Sequence, residues 1–340
     1  MKKFKTRLKN GLQNCLLLAT SMIVVLLLFE LCLRITNYYP KKVSIAPPYL
    51  FSNDSLSWWT LRPNFTTKVH TPDGEVTYTI NSQGIRATAD YTEKAFNPRL
   101  FIIGDSFTFG AGINEEFTFP HILNELFKEQ SPGFQVVNLG VVGYGTFQAF
   151  ERLRNYSKLL GDPKIVIYLF CPNDPVDNIA GKKEVVWGIR VDEKHKHKKI
   201  LALLGHSYFK SRVVAFVLAR IYDKFFNPRK QVKAVLEKQD IPVEQRKDFM
   251  FTEKHLAQLI EWTQQRHIHL LVITTFDSHF SEPLGNFLLN NQVPMLEATE
   301  IFKHSNPDSL PVNLIEGHWN HLGHQLIAAG IADFLKKEGW

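Results

Sequence analysis

Ser106, Gly143, Asn173 and His318 stand where apolar runs end or helical patterns begin, and their types are those of an acyl-transfer site. Ser106 lies in Gly-Asp-Ser directly after "LFIIG" (100–104) and ahead of a helical pattern. Gly, Asp and Ser are also common turn residues, so the triplet alone does not separate a nucleophile from a turn. A serine hydroxyl is a weak nucleophile until an adjacent base takes its proton. His318, in "EGHWN", suits that task because imidazole titrates near neutrality. A second apolar run ends in "VVNLGVVGYGT", where Gly140, Gly143 and Gly145 make a loop able either to present a backbone N–H or simply to turn. A third ends in "LFCPND", which brings the side-chain amide of Asn173 to the same edge. A nucleophile, a base and N–H donors aimed at a developing oxyanion are what attack on an ester carbonyl requires.

Other chemistries fit less well. The nucleophile elbow G-x-S-x-G fails because Thr108 stands where its second glycine belongs. The glycines at 140, 143 and 145 do not make the dinucleotide fingerprint G-x-G-x-x-G. His321 and His324 continue the spacing from His318, but there is no His-Glu-x-x-His, and His195 and His197 sit in a charged run that reads as solvated. No metal and no cofactor are expected. Nor is nucleic acid: of the 40 basic and 33 acidic residues, eight basic and one acidic fall in residues 1–42, which leaves 32 of each sign in the rest.

These residues need a scaffold that brings distant segments to one edge. The runs 100–104, 134–139, 164–170, 269–276 and 293–296 are short and apolar, as strands buried on both faces of a parallel sheet are. Helical patterns alternate with them. Pro120 opens one with Ile122, Leu123, Leu126 and Phe127 on one side, and Phe147, Phe150 and Leu153 begin another that Gly161-Asp162-Pro163 stops. Asn320 reads as the N-cap of a last helix carrying Leu322, Leu326 and Ile327. The alternation implies a three-layer α/β/α sandwich, with ligands at the carboxyl edge of its strands. Residues 69–86 read as a hairpin beside this unit. Residues 181–250 interrupt it with a charged loop and then an amphipathic helix whose face includes Val213, Val214, Val217, Ile221 and Phe225. Packing on the domain is the favoured reading of that helix over a lid or contact with a bilayer.

Residues 15–33, "CLLLATSMIVVLLLFELCL", carry one charge, Glu30, and at about 1.5 Å per residue just span a hydrocarbon core of roughly 30 Å. The apolar run exceeds that of a usual signal peptide, and no small-residue cleavage site follows, so an uncleaved anchor is expected. More basic residues precede the span than follow it, which puts residues 1–14 in the cytoplasm and the rest outside, in the bacterial periplasm. Cys15 and Cys32 lie in the span, and Cys171 alone remains for the soluble part, so no intradomain disulfide can form there.

The order Ser, Gly, Asn at successive strand ends, with His before the last helix, resembles the SGNH or GDSL-like hydrolase family, and the layout with "NSQGIR" ahead of the first block resembles its single-pass, membrane-anchored members. The resemblance implies a flavodoxin-like parallel sheet. It implies Ser106 as nucleophile, the N–H groups of Ser106 and Gly143 with the Asn173 amide as oxyanion hole, and His318 as base. Two positions depart from the family pattern. Cys171 replaces the glycine of Gly-x-Asn-Asp, and Ile315 stands where an Asp usually orients the histidine. Glu316, two residues before His318, is the nearest carboxylate; otherwise the pair acts as a dyad. The expected layout is thus a basic N-terminus (1–14), an anchor (15–33), a linker and β-rich scaffold (34–98) and an SGNH hydrolase-like domain (99–340) with an insert at 181–250. The expected activity is ester hydrolysis through an acyl-enzyme, on an acylated envelope glycan or lipid. The alternatives are O-acetyl transfer to an exported polysaccharide and a non-catalytic glycan-binding or scaffold role.

Overall fold

The computed structural model describes residues 2–36, 46–71, 74–92, 98–130, 134–194, 197–221, 242–276, 278–303, 311–312 and 317–340. A long helix, α1 (Lys2–Ile35), leads the chain. Its segment Asn10–Ile35, in which an 18-residue window reaches a mean hydropathy of 2.6, is long and apolar enough to cross a membrane. Two antiparallel hairpins follow, β1 (Phe51–Asp54) with β2 (Trp58–Leu61), and β3 (Phe65–Thr71) with β4 (Gly74–Ile80). The second is the one expected within 69–86. The first, whose sequence carries no clear alternation, lies in the segment 34–98 expected to be β-rich.

The α/β unit then runs β5 (Arg99–Gly104), α2 (Ser106–Phe109), α3 (Phe119–Gln130), β6 (Gln135–Asn138), α4 (Thr146–Leu160), β7 (Ile165–Phe170) and α5 (Asp174–Ile179). After the insert it resumes with α8 (Lys247–Gln264), β10 (His269–Thr274), α9 (Ser281–Asn290), β11 (Met295–Glu297), α10 (Ala298–Lys303) and α11 (His321–Glu338). The five strands pair in parallel in the order β11-β10-β7-β5-β6. Numbered within the sheet, that is 2-1-3-4-5, the flavodoxin-like order, in which the crevice opens between the first and third strands. This is the three-layer α/β/α sandwich expected.

Every residue of β5 and β7 is buried, because alternate side chains enter two different cores. Phe101 and Ile103 join Val166, Tyr168 and Phe170 on the side of α4, α8 and the hairpins, whereas Leu100 and Ile102 join Ile165, Ile167 and Leu169 on the side of α3 and α11. A strand with both faces covered has no reason to alternate, which is why its sequence is continuously apolar.

The insert departs from expectation. Its first part is not a plain charged loop but a third hairpin, β8 (Lys183–Val186) with β9 (Ile189–Asp192). The amphipathic stretch is two helices, α6 (Lys198–Lys210) and α7 (Arg212–Ile221), broken at Ser211. The hairpin leans on β1 and β2: Asn53 exchanges hydrogen bonds with the Val185 backbone (3.2 and 2.7 Å), and the Tyr49 N–H donates to the Gly188 carbonyl (3.0 Å). Helix α7 packs on α1 rather than on the sandwich, and its Val217 is exposed. Phe225 lies outside the described residues.

Candidate active site

Ser106 opens α2 immediately after β5 turns at Asp105. Asp105 is the N-cap, and its Oδ1 accepts the Phe107 N–H (2.9 Å), which fixes the turn through one of the orphan donors of the helix. Gly104 makes the turn possible: its φ is +151°, and a Cβ there would lie 2.5 Å from the Thr108 hydroxyl. Behind the serine, Arg86 of "NSQGIR" is fully buried and donates to the carbonyls of Phe109 (2.8 Å), Gly110 (2.5 Å) and Ile113 (2.6 Å). The guanidinium also lies over the rings of Tyr78 and Phe109, at 4.6 and 4.7 Å. The segment ahead of the sheet thus clamps the loop that follows Ser106.

His318 comes from the other end of the chain. Its Nε2 lies 2.8 Å from the Ser106 Oγ, across 212 residues of sequence. The ring stands against Phe107, centroids 4.7 Å apart, and the neighbouring Trp319 is buried among Phe107, Phe119 and Phe302. Asn320 caps α11, its Oδ1 accepting the Gly323 N–H (3.0 Å), as its sequence position suggested. Glu316 and Ile315 lie outside the described residues.

Asn173 arrives at the end of β7. Its Nδ2 donates to Asp177 (2.8 Å) and lies 3.5 Å from Asp105 Oδ2, the same oxygen that stands 3.4 Å from the Ser106 Oγ. The Cys171 thiol donates to Asn173 Oδ1. Burial, then the carboxylates of Asp105 and Asp174, push that thiol well above its usual range, so it stays protonated and remains a donor. With the amide oxygen taken by a donor and the nitrogen facing carboxylates, only one orientation of the amide fits. The cysteine that replaces the expected glycine therefore sets the direction of the Asn173 N–H groups. Asp174, below it, is raised well above the carboxylate range by burial and by Asp105, and accepts from Tyr168 (2.5 Å).

Gly143 sits in the loop after β6 with φ +79°, in the left-handed region, and a Cβ would fall 2.5 Å from Arg190 Nη1. Arg190, on β9, donates to the Val142 carbonyl and lies over Phe51 (4.4 Å) and Trp59 (5.1 Å). Val142 C=O and Gly143 N–H belong to one trans peptide, so the two groups point in opposite directions.

Of the two further histidines, His324 is buried and its Nδ1 accepts the Phe119 N–H (3.1 Å). Burial, then the charges of Arg86 and neighbouring histidines, lower its pKa to about 3, so it is a neutral packing residue at any ordinary pH. His321 stacks on Phe117, centroids 4.1 Å apart.

The sequence model of GDSL-like lipase/acylhydrolases matches residues 100–211, the stretch that carries Ser106, Gly143 and Asn173. Residues 100–211 are thus identified as a GDSL-like lipase/acylhydrolase domain. Its class of enzyme is the serine esterases and acylhydrolases. Among solved structures, the psychrotrophic esterase EstA from Pseudoalteromonas sp. is similar at 11% identity, with 71% of this chain and 98% of that one covered and a TM-score of 0.42. A member of the lipolytic protein G-D-S-L family from Veillonella parvula is similar at 12% identity over 70% of this chain and 98% of that one, TM-score 0.40. A two-domain esterase active on acetylated mannans is similar at 15%, covering 71% of this chain and 49% of that one, TM-score 0.39. A comparison with curated proteins finds no match.

Two arginines beside the GDSL-like site escaped the sequence reading. Arg86 had a signal, since a lone cation inside a turn-rich stretch next to the first block asks for carbonyl partners. Arg190 had none: its neighbours Phe51, Trp59 and Val142 are all more than 45 residues away.

Proposed function

We propose that this chain is a membrane-anchored serine ester hydrolase with its domain outside the membrane, acting on an acylated envelope glycan or lipid. The observation that carries the reading is the 2.8 Å approach of His318 Nε2 to Ser106 Oγ at the sheet edge where Asn173 and the Gly143 loop also end. In this reading His318 takes the Ser106 proton as Oγ attacks the ester carbonyl, and the charge that develops on oxygen is met by the N–H groups of Ser106 and Gly143 and by the Asn173 amide. His318 then returns the proton to the departing alkoxide. Water, activated by the same imidazole, releases the acyl group. No cofactor enters the scheme.

Arg190 has a positioning role in this scheme. A cation on the Val142 carbonyl polarises the peptide it shares with Gly143, so the opposing N–H becomes a stronger donor and is held in one direction. Phe51 and Trp59 keep the guanidinium in place.

The N-terminal span supports the anchor, and the excess of basic residues before it supports an N-terminus in the cytoplasm. The test is hydrolysis of short-chain p-nitrophenyl esters by the full chain in detergent, run with and without acylated and deacylated glycans. Release of free acid, lost in Ser106→Ala, is the expected result. Transfer of the acyl group to a sugar in preference to water would replace hydrolysis by O-acetyl transfer, and ester turnover unchanged in Ser106→Ala would overturn the reading.

A further inference from the structure

The last turns of α1 carry a specific attachment. Glu30 accepts hydrogen bonds from the backbone N–H groups of Arg212 (3.0 Å) and Val213 (2.8 Å) and from the Ser211 hydroxyl (2.9 Å), all at the start of α7. Arg34 pairs with Glu30 (2.7 Å) and donates to the Lys210 carbonyl (3.1 Å), the end of α6. Phe29 meets Phe216 of α7 edge to face, with centroids 5.7 Å apart.

These contacts come from residues 29, 30 and 34, all within the apolar segment Asn10–Ile35. Glu30 is five residues short of the helix end, about 7.5 Å along the axis. A carboxylate at that level is costly in lipid unless it is paired. Here it has an arginine and the N-terminal donors of a helix, the positive end of the helix dipole. The junction of α6 and α7 therefore stands beside the apolar helix rather than beyond it.

The two helices also expose apolar side chains. Ile200, Leu203 and Leu204 of α6 are 56%, 58% and 38% exposed and, at spacings of three and four, share a face; Val217 of α7 is 45% exposed. Lys194 lies just ahead of α6, and Lys198 and Lys199 open it. An exposed apolar face with basic residues at its border is how a helix lying in an anionic membrane interface is built.

We propose that α6 and α7 form a membrane-interface element, pinned to the anchor by Glu30, that lays Ile200, Leu203 and Leu204 into the boundary between headgroups and acyl chains. The proposal rests on α1 being a membrane anchor, the reading given above. The element also fixes the height of the active site, because α6 packs on β9, the strand that carries Arg190.

The test uses the full chain with Cys15→Ser and Cys32→Ser, reconstituted in vesicles of phosphatidylcholine and phosphatidylglycerol. Bimane is attached at Ile200→Cys or, in a second preparation, at Val24→Cys in the middle of the anchor, and quenched with doxyl-labelled lipid or aqueous iodide. The expected result is loss of most of the signal to doxyl lipid at both positions, with shallow labels the more effective at Ile200→Cys, and little loss to iodide. Lipid quenching at Val24→Cys with iodide quenching at Ile200→Cys would overturn the proposal and leave the anchor standing. Iodide quenching at both would remove the anchor, and the proposal with it. Adding Glu30→Ala is expected to shift Ile200→Cys toward iodide, and unchanged quenching there would overturn the pinning.

Discussion

The carboxyl edge of the sheet and the insert at β8–α7 treat apolar residues in opposite ways. Around Ser106 they are hidden: Phe107, Trp319 and all of β5 and β7 are buried. In the insert, Ile200, Leu203 and Val217 face outward beside an apolar helix that is itself exposed. Burial at the edge buys geometry, and exposure in the insert asks for a partner. Arg190 links the two regions, leaving the insert and ending on the carbonyl behind Gly143.

The contrast predicts that substitutions at the edge act on catalysis and those in the insert mainly on placement, with Arg190 between them. His318→Asn is expected to lower kcat by roughly 10⁴-fold, read with a p-nitrophenyl ester, with the fold retained by circular dichroism. Asn173→Ala, which removes one of the proposed oxyanion donors, is expected to cost on the order of 10²–10³ in kcat with KM little changed. Arg190→Ala should lower kcat by about tenfold, again with little change in KM, and Arg190→Lys should recover part of it, since a cation on the Val142 carbonyl is what matters. A rise in KM alone would make Arg190 a substrate contact. The smallest effect belongs to His324, which leaves catalysis alone and acts on stability. Its pKa is about 3 when folded against 6.5 as a free side chain, so between those values the unfolded chain binds a proton that the folded one does not. Its contribution is present in full above pH 6.5 and falls by about 1.4 kcal/mol per pH unit as acid is added, down to about pH 3. His324→Asn, which keeps an acceptor for Phe119 N–H but does not titrate, should flatten the fall in melting temperature between pH 6.5 and 4, and an unchanged slope would place the acid sensitivity elsewhere.

Legibility in the sequence follows the same division. The strands of the sheet are legible because burial on both faces makes them continuously apolar, and Ser106, Asn173 and His318 stand out as candidates because they lie at or near the ends of such elements. The direction of the Asn173 amide was not, since it depends on a thiol donor at Cys171 that only the folded geometry reveals. The sequence of the insert predicts one helix after a loop. Its break at Ser211 is explained by a residue 181 positions away, Glu30, whose carboxylate rewards a new helix start there. Long-range contacts of this kind leave no periodic trace. Arg190 is the sharpest case, an ordinary arginine in a short strand until Phe51, Trp59 and Val142 are brought around it.

The central claim is that His318 activates Ser106. A fluorophosphonate probe applied to the full-length chain in detergent, followed by peptide mapping, tests it most directly. A single adduct on Ser106 is expected, absent in Ser106→Ala and formed far more slowly in His318→Asn. A folded protein that resists the probe, or one labelled at Ser106 equally fast without His318, would contradict it.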